Sequence, residues 1–285
     1  MAFVGSVAAR LGAFALALSG CASLASADEW PGAQSNGAAG GAGGAGGAGA
    51  TGGCGGGCQS NGGAGATGAA PDAYSKIVQD LEPLGYWRLD ELRENSAAMD
   101  HAGNHAGAYI GDVELGVPGL VGTPDTAAML PGTSHIDVGN SFLFPGRATY
   151  TLEAWISPEA ITGDHIIFDA WDGVGDGYRV TFTSTYVRFA RSAGSEYVDC
   201  QTNDAPPVLQ PSHVVATYDG ENACLYLNGV NLDECGMSGV PSSPSVGSVR
   251  LGVAFHGVLD EVAIYGDPLS EEQVFAHYEM GTAAR

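Results

Sequence analysis

The sequence predicts an all-β fold: two antiparallel sheets packed as a sandwich, closed by a short C-terminal helix and preceded by a disordered, glycine-rich tether. Three observations predict it. Strand-like runs recur about every 8–12 residues with glycine turns between them, the spacing of a two-sheet sandwich. Residues 257–281, GVLDEVAIYGDPLSEEQVFAHYEMG, join one apolar strand to one capped helix. Residues 32–70 are mostly glycine and alanine with a few serine, threonine and asparagine residues, and lack the apolar side chains needed to offset chain entropy.

The N-terminal 27 residues read as an export signal. Arg10 is a thin positive region, and residues 11–18 form an apolar core too short to span a bilayer. Two processing sites compete. Leu18-Ser19-Gly20-Cys21 has the form of a lipoprotein box, with Cys21 as the lipidated residue; Ala25-Ser26-Ala27 suits ordinary secretion. Cys21 falls directly after the apolar core, which favours lipidation, and Ala22 behind it points to the outer membrane. The expected localisation is therefore a bacterial cell envelope, as an outer-membrane lipoprotein or a secreted protein. Membrane contact would come only through the N-terminal lipid.

Residues 28–71 form the linker, a flexible coil spanning on the order of 35 Å. It contains Cys54 and Cys58, separated by three glycines. That spacing is wrong for a thioredoxin-like motif and two thiols cannot complete a zinc site, so a local disulfide is expected. The folded head occupies residues 72–285. Residues 73–81 place Tyr74, Ile77, Val78 and Leu81 at helical spacing, ended by Pro83. Residues 85–91, GYWRLDE, read as a strand; short strands follow at about 107–115, 126–130 and 134–138. YTLEAWISP (150–158) alternates Tyr150, Leu152, Ala154 and Ile156 against Thr151, Glu153, Trp155 and Ser157. Residues 165–171, 177–184 and 186–191 continue the pattern. SHVVATYDGENACLYLNGV (212–230) carries hairpin turns at Asp219-Gly220 and Asn228-Gly229.

The closing strand sets Val258, Asp260, Val262 and Ile264 on one side and Leu259, Glu261, Ala263 and Tyr265 on the other. Both rows are apolar enough for a central strand covered on both sides. Gly266-Asp267-Pro268 stops it. Ser270 and Gln273 stand at capping-box spacing, Leu269 and Val274 as a hydrophobic staple, and Gly281 as a C′ stop.

Four of these runs, in this order, resemble laminin-G-like, concanavalin A-like jelly-roll domains: Tyr86-Trp87-Arg88-Leu89, Tyr150-Thr151-Leu152-Glu153-Ala154-Trp155, the stretch from His213 to Gly220, and Asp260-Glu261 with Tyr265, Leu269-Ser270 and His277-Tyr278. Asp100 to Gly107 resembles the family's glycine-asparagine loop. The resemblance implies a jelly roll in which the first and last strands lie side by side, and a binding domain whose partner is a carbohydrate or a surface protein.

Charge narrows the partners. The formal net charge is -22, with Lys76 the single lysine. Nucleic acid is excluded as an expected partner, because a binder needs a basic face. Most carboxylates suit a solvated acidic surface. A divalent cation fits some of them, and calcium takes six to eight oxygen ligands from carboxylates and turn carbonyls. In relatives of the fold a structural calcium is held by the first and last strands, which implies Asp100 and the Gly103–His105 loop with Asp260. The alternative set is Asp169, Asp172 and Asp176 in DAWDGVGDG. His101 and His105 sit in a glycine loop unsuited to zinc, and His213 and His277 suit packed positions.

Cys200, Cys224 and Cys235 lie in the head, where export would oxidise one pair. Cys200 with either Cys224 or Cys235 is favoured, since Cys224–Cys235 would strain the hairpin turning at Asn228-Gly229. No enzyme is expected: there is no G-x-S-x-G elbow and no E-x-D-x-x-E strand of the kind that concanavalin-like glycosidases carry. A structural envelope module and a hydrolase with atypical carboxylates are the alternatives to ligand binding. Tyr86, Trp87, Trp155, Trp171, Tyr178 and Tyr186 could stack on sugars. Trp87 and Trp155 belong to fold-defining strands, which leaves Trp171 and Tyr178 as the candidate ligand-binding residues.

Overall fold

The computed structural model describes residues 73–92, 97–122, 125–171, 176–193, 196–236 and 247–283. The expectations for Cys21, for Cys54 and Cys58, and for the tether lie outside the described residues.

Among the described residues, helix α1 (Ala73–Gln79) leads into fifteen strands and a closing helix. The strands are β1 (Gly85–Trp87), β2 (Ala108–Ile110), β3 (Glu114–Pro118), β4 (Thr126–Pro131), β5 (His135–Asp137), β6 (Tyr150–Pro158), β7 (His165–Asp169), β8 (Gly177–Phe182) and β9 (Val187–Ala193). They continue as β10 (Glu196–Gln201), β11 (Ser212–Tyr218), β12 (Asn222–Leu227), β13 (Val230–Gly236), β14 (Arg250–Val253) and β15 (His256–Tyr265), followed by α2 (Glu271–Ala283). All pairings are antiparallel. One sheet runs β13-β12-β11-β6-β15-β4-β3, with β1 also on β15; the other runs β10-β9-β8-β7-β14-β5-β2.

The expected side-by-side ends are present, with Gly85, Tyr86 and Trp87 opposite Ile264, Ala263 and Val262. Strand β15 is central, between β6 on one side and β4 and β1 on the other. Its facing differs from simple alternation. A bulge lies between Asp260 and Ala263, and Glu261 adopts φ 48°. The extra residue reverses the parity. Leu259 therefore joins Val262 and Ile264 in the inter-sheet core, while Val258 packs with Ala263 and Tyr265 on the outer face.

The inter-sheet core includes Trp87, Leu152, Ile156, Phe168, Val180, Phe189, Val214, Leu225 and Leu259. The outer face of the larger sheet is also apolar. It carries Trp155, Val215, Tyr226 and Tyr265, and α1 and α2 cover it with Tyr74, Val78 and Val274. Beneath the helices, buried Glu153 accepts hydrogen bonds from Tyr74 (2.9 Å) and Tyr265 (2.7 Å). It also lies 2.8 Å from His213 Nε2 and 2.9 Å from His277 Nδ1. Both histidines are packed groups, as their positions suggested.

The capping box at Ser270 and Gln273 forms reciprocally, at 2.8 and 3.3 Å. Gly281, expected as the stop, lies within α2, which continues to Ala283. Its role is close approach: a Cβ there would lie 2.3 Å from the Trp155 ring.

Cys200 bonds to Cys235, one of the two favoured pairs. The bridge joins the edge strands β10 and β13 and so staples the two sheets at one side. Cys224 faces the other way, into the cluster around Trp155, and is disulfide-bonded as well, so all three head cysteines are oxidised rather than the one pair expected.

Candidate ligand-binding face

The larger sheet's outer face is roofed by helices, so the sheet face that no described helix covers is the outer one of the β10–β2 sheet. Strand alternation builds it. On β8, Tyr178, Val180 and Phe182 point into the core and Arg179 and Thr181 point out; on β9, Val187 and Phe189 point in and Arg188 and Ala190 point out. The exposed set forms a hollow of about 220 Å³ lined by Asp164, Ile166, Trp171, Arg179, Thr181, Tyr186, Arg188 and Ala190.

Trp171, just past the end of β7, stands at this hollow with the Arg179 guanidinium 5.5 Å from its ring centroid. Tyr178, the other expected ligand-binding aromatic, is fully buried and donates its hydroxyl to the Phe142 carbonyl at 2.8 Å. It falls on the inward parity of β8 and cannot contact a ligand.

The strand register sets a charged row across this face. Asp199 stands opposite Ala190, Ala190 opposite Arg179, and Arg179 opposite Asp169. The row continues from Asp169 to Arg250, Asp137 and Ala108. Asp169 Oδ1 receives Arg179 Nε at 2.8 Å and Nη2 at 2.7 Å, while Arg250 holds its other oxygen. Arg188 pairs bidentately with Asp199, each bond 2.6 Å. Asp169 itself is buried, whereas the arginines keep about a third of their surface, with side chains 33% (Arg179), 37% (Arg250) and 42% (Arg188) exposed.

Of the alternative cation set, Asp169 is held by the guanidinium groups of Arg179 and Arg250, Asp176 is half-buried ahead of β8, and Asp172 lies outside the described residues.

The other expected cation set separates into two places. Asp100 organises its own loop. Its Oδ1 accepts from the Tyr86 and Ala102 amides (both 3.0 Å), and its Oδ2 accepts from the His105 amide (2.9 Å). Burial would raise its pKa, but these backbone bonds and one from Gly103 outweigh it and hold the carboxyl below its usual value. Gly103 leaves room for that carboxylate, since a Cβ there would lie 3.1 Å from Oδ2. His105 Nδ1 is 3.2 Å from the same oxygen.

Asp260 instead meets Asp125 and Glu261, with one ligand atom from each lying within 4.8 Å of the others. Arg88 bonds Glu261 at 3.2 Å and Asp125 at 3.0 Å, and Tyr86 also donates to Glu261. The Leu120 amide donates to Asp260 Oδ2 at 2.7 Å. Asp260 is fully buried, and its Oδ1 has no hydrogen-bond partner. Burial, with the charges of Glu261 and Asp125, pushes its carboxyl well above the ordinary range.

A larger hollow, about 1090 Å³, lies between the edge strands β2 and β3 and is lined by Leu92, Tyr109, Val113, Leu115, Met129 and neighbours. Its one aromatic hydroxyl, Tyr109, is turned to Glu91 at 2.6 Å. It offers no convergent polar set of the kind seen beside Trp171.

Arg179, Arg188 and Arg250 were not singled out from sequence. Outward positions on alternating strands were the available signal; their convergence depends on register between segments up to eighty residues apart.

A family model for the concanavalin A-like lectin/glucanases superfamily matches residues 130–275. No curated protein sequence matches the chain. Among solved structures, domain 4 of AbnA, a GH43 extracellular arabinanase from Geobacillus stearothermophilus in complex with arabinotriose, is similar. The identity is 20% with a TM-score of 0.56, over 69% of this chain and 98% of that one. The binding domain of Botulinum neurotoxin serotype D aligns at 13% identity and TM-score 0.56, over 71% of this chain and 52% of that one. The binding domain of Paraclostridial Mosquitocidal Protein 1 aligns at 15% and 0.52, over 71% and 52%. The chain thus spans about half of each toxin binding domain. At these identities the likeness is one of fold.

Proposed function

The chain belongs to the concanavalin A-like lectin/glucanases superfamily, and from that premise we propose that its head is a carbohydrate-binding domain of an exported envelope protein. The observation that carries this is Trp171, presented with Arg179 on the sheet face that no described helix covers. An indole offers a flat apolar surface for the C–H face of a sugar, and fixed guanidinium and carboxylate groups beside it hydrogen-bond hydroxyls. The arabinotriose complex of the arabinanase domain supports a saccharide over a protein ligand. The Cys200–Cys235 bridge supports export, since such bonds persist in oxidising compartments. No described helix is long and apolar enough to cross a membrane, and N-terminal lipidation at Cys21 remains the proposed anchor.

Titration calorimetry with arabinotriose and a panel of other oligosaccharides tests the reading. Binding should fall on the order of thirtyfold in Trp171→Ala, the cost of removing a central aromatic anchor. Failure of every saccharide to bind, or equal binding by the variant, overturns it.

Calcium belongs to the same proposal as a structural ion, with a revised ligand set: Asp125, Asp260 and Glu261. The unpartnered buried oxygen of Asp260 favours it. A divalent cation would supply the positive charge that Arg88 alone does not.

A further inference from the structure

We propose that the Glu153–His277 contact is a proton-operated latch on the roof: a protonated His277 pins α2 and α1 onto the larger sheet, and loss of that proton lets both helices lift while the sandwich beneath stays folded. The device lies on the opposite face from Trp171 and stands apart from the carbohydrate reading.

The helices are docked by few side chains. Over thirteen residues α2 buries Val274, His277 and Gly281, and over seven α1 buries Tyr74, Ser75 and Val78. A helix as short as α1 does not persist in water by itself, so it keeps its form by staying docked. Each helix reaches the buried cluster through one polar side chain. Tyr74 donates to Glu153 Oε1 at 2.9 Å, and His277 Nδ1 lies 2.9 and 3.1 Å from the two carboxylate oxygens. The other two groups bonded to Glu153, His213 and Tyr265, belong to β11 and β15 and stay with the sheet when the roof moves.

Glu153 is fully buried, and a buried anion needs a positive charge beside it. The groups around it limit where that charge comes from. Tyr74 and Tyr265 stay neutral, because burial and the Glu153 charge push both hydroxyls well above 10. Glu261, on β15, adds negative charge and is engaged by Arg88 and Tyr86. On the roof itself Lys76 pairs with Asp80, and Glu271, Glu272 and Glu279 are exposed. The side chains of Asp233 and Glu234, on β13, are outside the described ones. Of the two imidazoles, His213 is fixed to the sheet and stacked on Trp155, whereas His277 stands on an element that can leave. Burial lowers the pKa of His277, but the Glu153 charge and hydrogen bond prevail and hold it above 6.5. Once that proton is lost, Glu153 keeps its charge without a cation from the roof. Water reaches it when α2 moves away, which uncovers Trp155, Val215 and Tyr226. A segment held by so few buried groups belongs to the low-stability end of a fold, where local opening precedes global unfolding.

Hydrogen–deuterium exchange of the full-length protein, mapped by peptide mass spectrometry across the neutral and alkaline range and corrected for base catalysis, reads the latch. Protection of residues 271–283 should fall about tenfold for each pH unit between 6.5 and the folded value of His277, then level off. Strands β8 and β9 should keep theirs throughout. His277→Asn retains a donor for Glu153 but carries no charge, so its α2 should exchange faster at neutral pH and without that slope. The His277 imidazole resonance of the wild type gives a check that needs no variant, since its titration must coincide with the loss of protection. Protection of α2 that is flat with pH, that falls in step with β8 and β9, or that keeps the wild-type slope in His277→Asn overturns the latch. None of these results bears on saccharide binding at Trp171.

Discussion

Gly281 and Trp155 meet so closely that neither can change alone. The indole is fully buried, stacks on His213 at 4.8 Å between ring centroids, and donates to the Tyr74 hydroxyl at 2.7 Å, so it has no room to yield. Gly281→Ala places a methyl 2.3 Å from that ring. The expected cost is about 1–3 kcal/mol of folding stability, the usual penalty for overpacking a closed core, read as a lower urea midpoint with an unchanged slope. An unaltered midpoint would mean that α2 can lift from the sheet at no cost. Sequence marked Gly281 as special and assigned it the wrong reason. A glycine near a helix end suits a cap by position alone, and only the packing of Trp155 against α2 distinguishes a cap from a contact. Tyr178 shows the same limit: its neighbours Arg179 and Thr181 are the exposed ones, a parity that one residue's error inverts.

The bulge of β15 determines how the closing strand works. Two apolar rows made either facing plausible from sequence, and nothing in DEV announces an extra residue. Its effect is to put Asp260 and Glu261 beside Asp125, on a turn-rich segment that sequence did not connect to the closing strand. Their mutual repulsion and burial are costs that a bound cation would offset through linkage. Millimolar calcium should therefore raise the melting temperature of chelator-treated protein by several degrees, and Asp260→Asn should abolish the response. If chelator and calcium leave the melting temperature of the wild type alike, the cluster holds a proton and not a metal. Element existence was otherwise well marked. Hairpin turns at Asp219-Gly220 and Asn228-Gly229, the capping box and the four family-like runs all lie where expected. Two strands replace the single one expected at residues 107–115, and β10 and β14 went unmarked; in β10, EYVDCQ carries only one strongly apolar residue flanked by polar ones.

At the scale of the molecule, the two sheets have unlike backs: one roofed by α1 and α2, the other covered by no described helix. The roof depends on Glu153. Burial pushes its carboxyl up, but the charge of His277 and hydrogen bonds from His213 and His277 outweigh that and hold it well below 4.5. For His277, burial acts downward, and the Glu153 charge and hydrogen bond prevail, raising it above 6.5. A carboxylate held low contributes stability that is present above 4.5 and lost as pH falls through its folded value. An imidazolium held high contributes stability that is complete below 6.5 and lost as pH rises through its folded value. Both are present together between those two pH values, so urea midpoints should peak there and decline on either side. His277→Asn should flatten the alkaline decline; a wild-type profile already flat above that window would show that His277 is neutral in the fold.

Because β1 pairs with β15, and α1 touches α2, the described chain starts and finishes on the roofed side of the sandwich. Trp171 and its arginines look out from the opposite side. A head immobilised through residues adjoining α1 or α2 would therefore turn the Trp171 face away from its support.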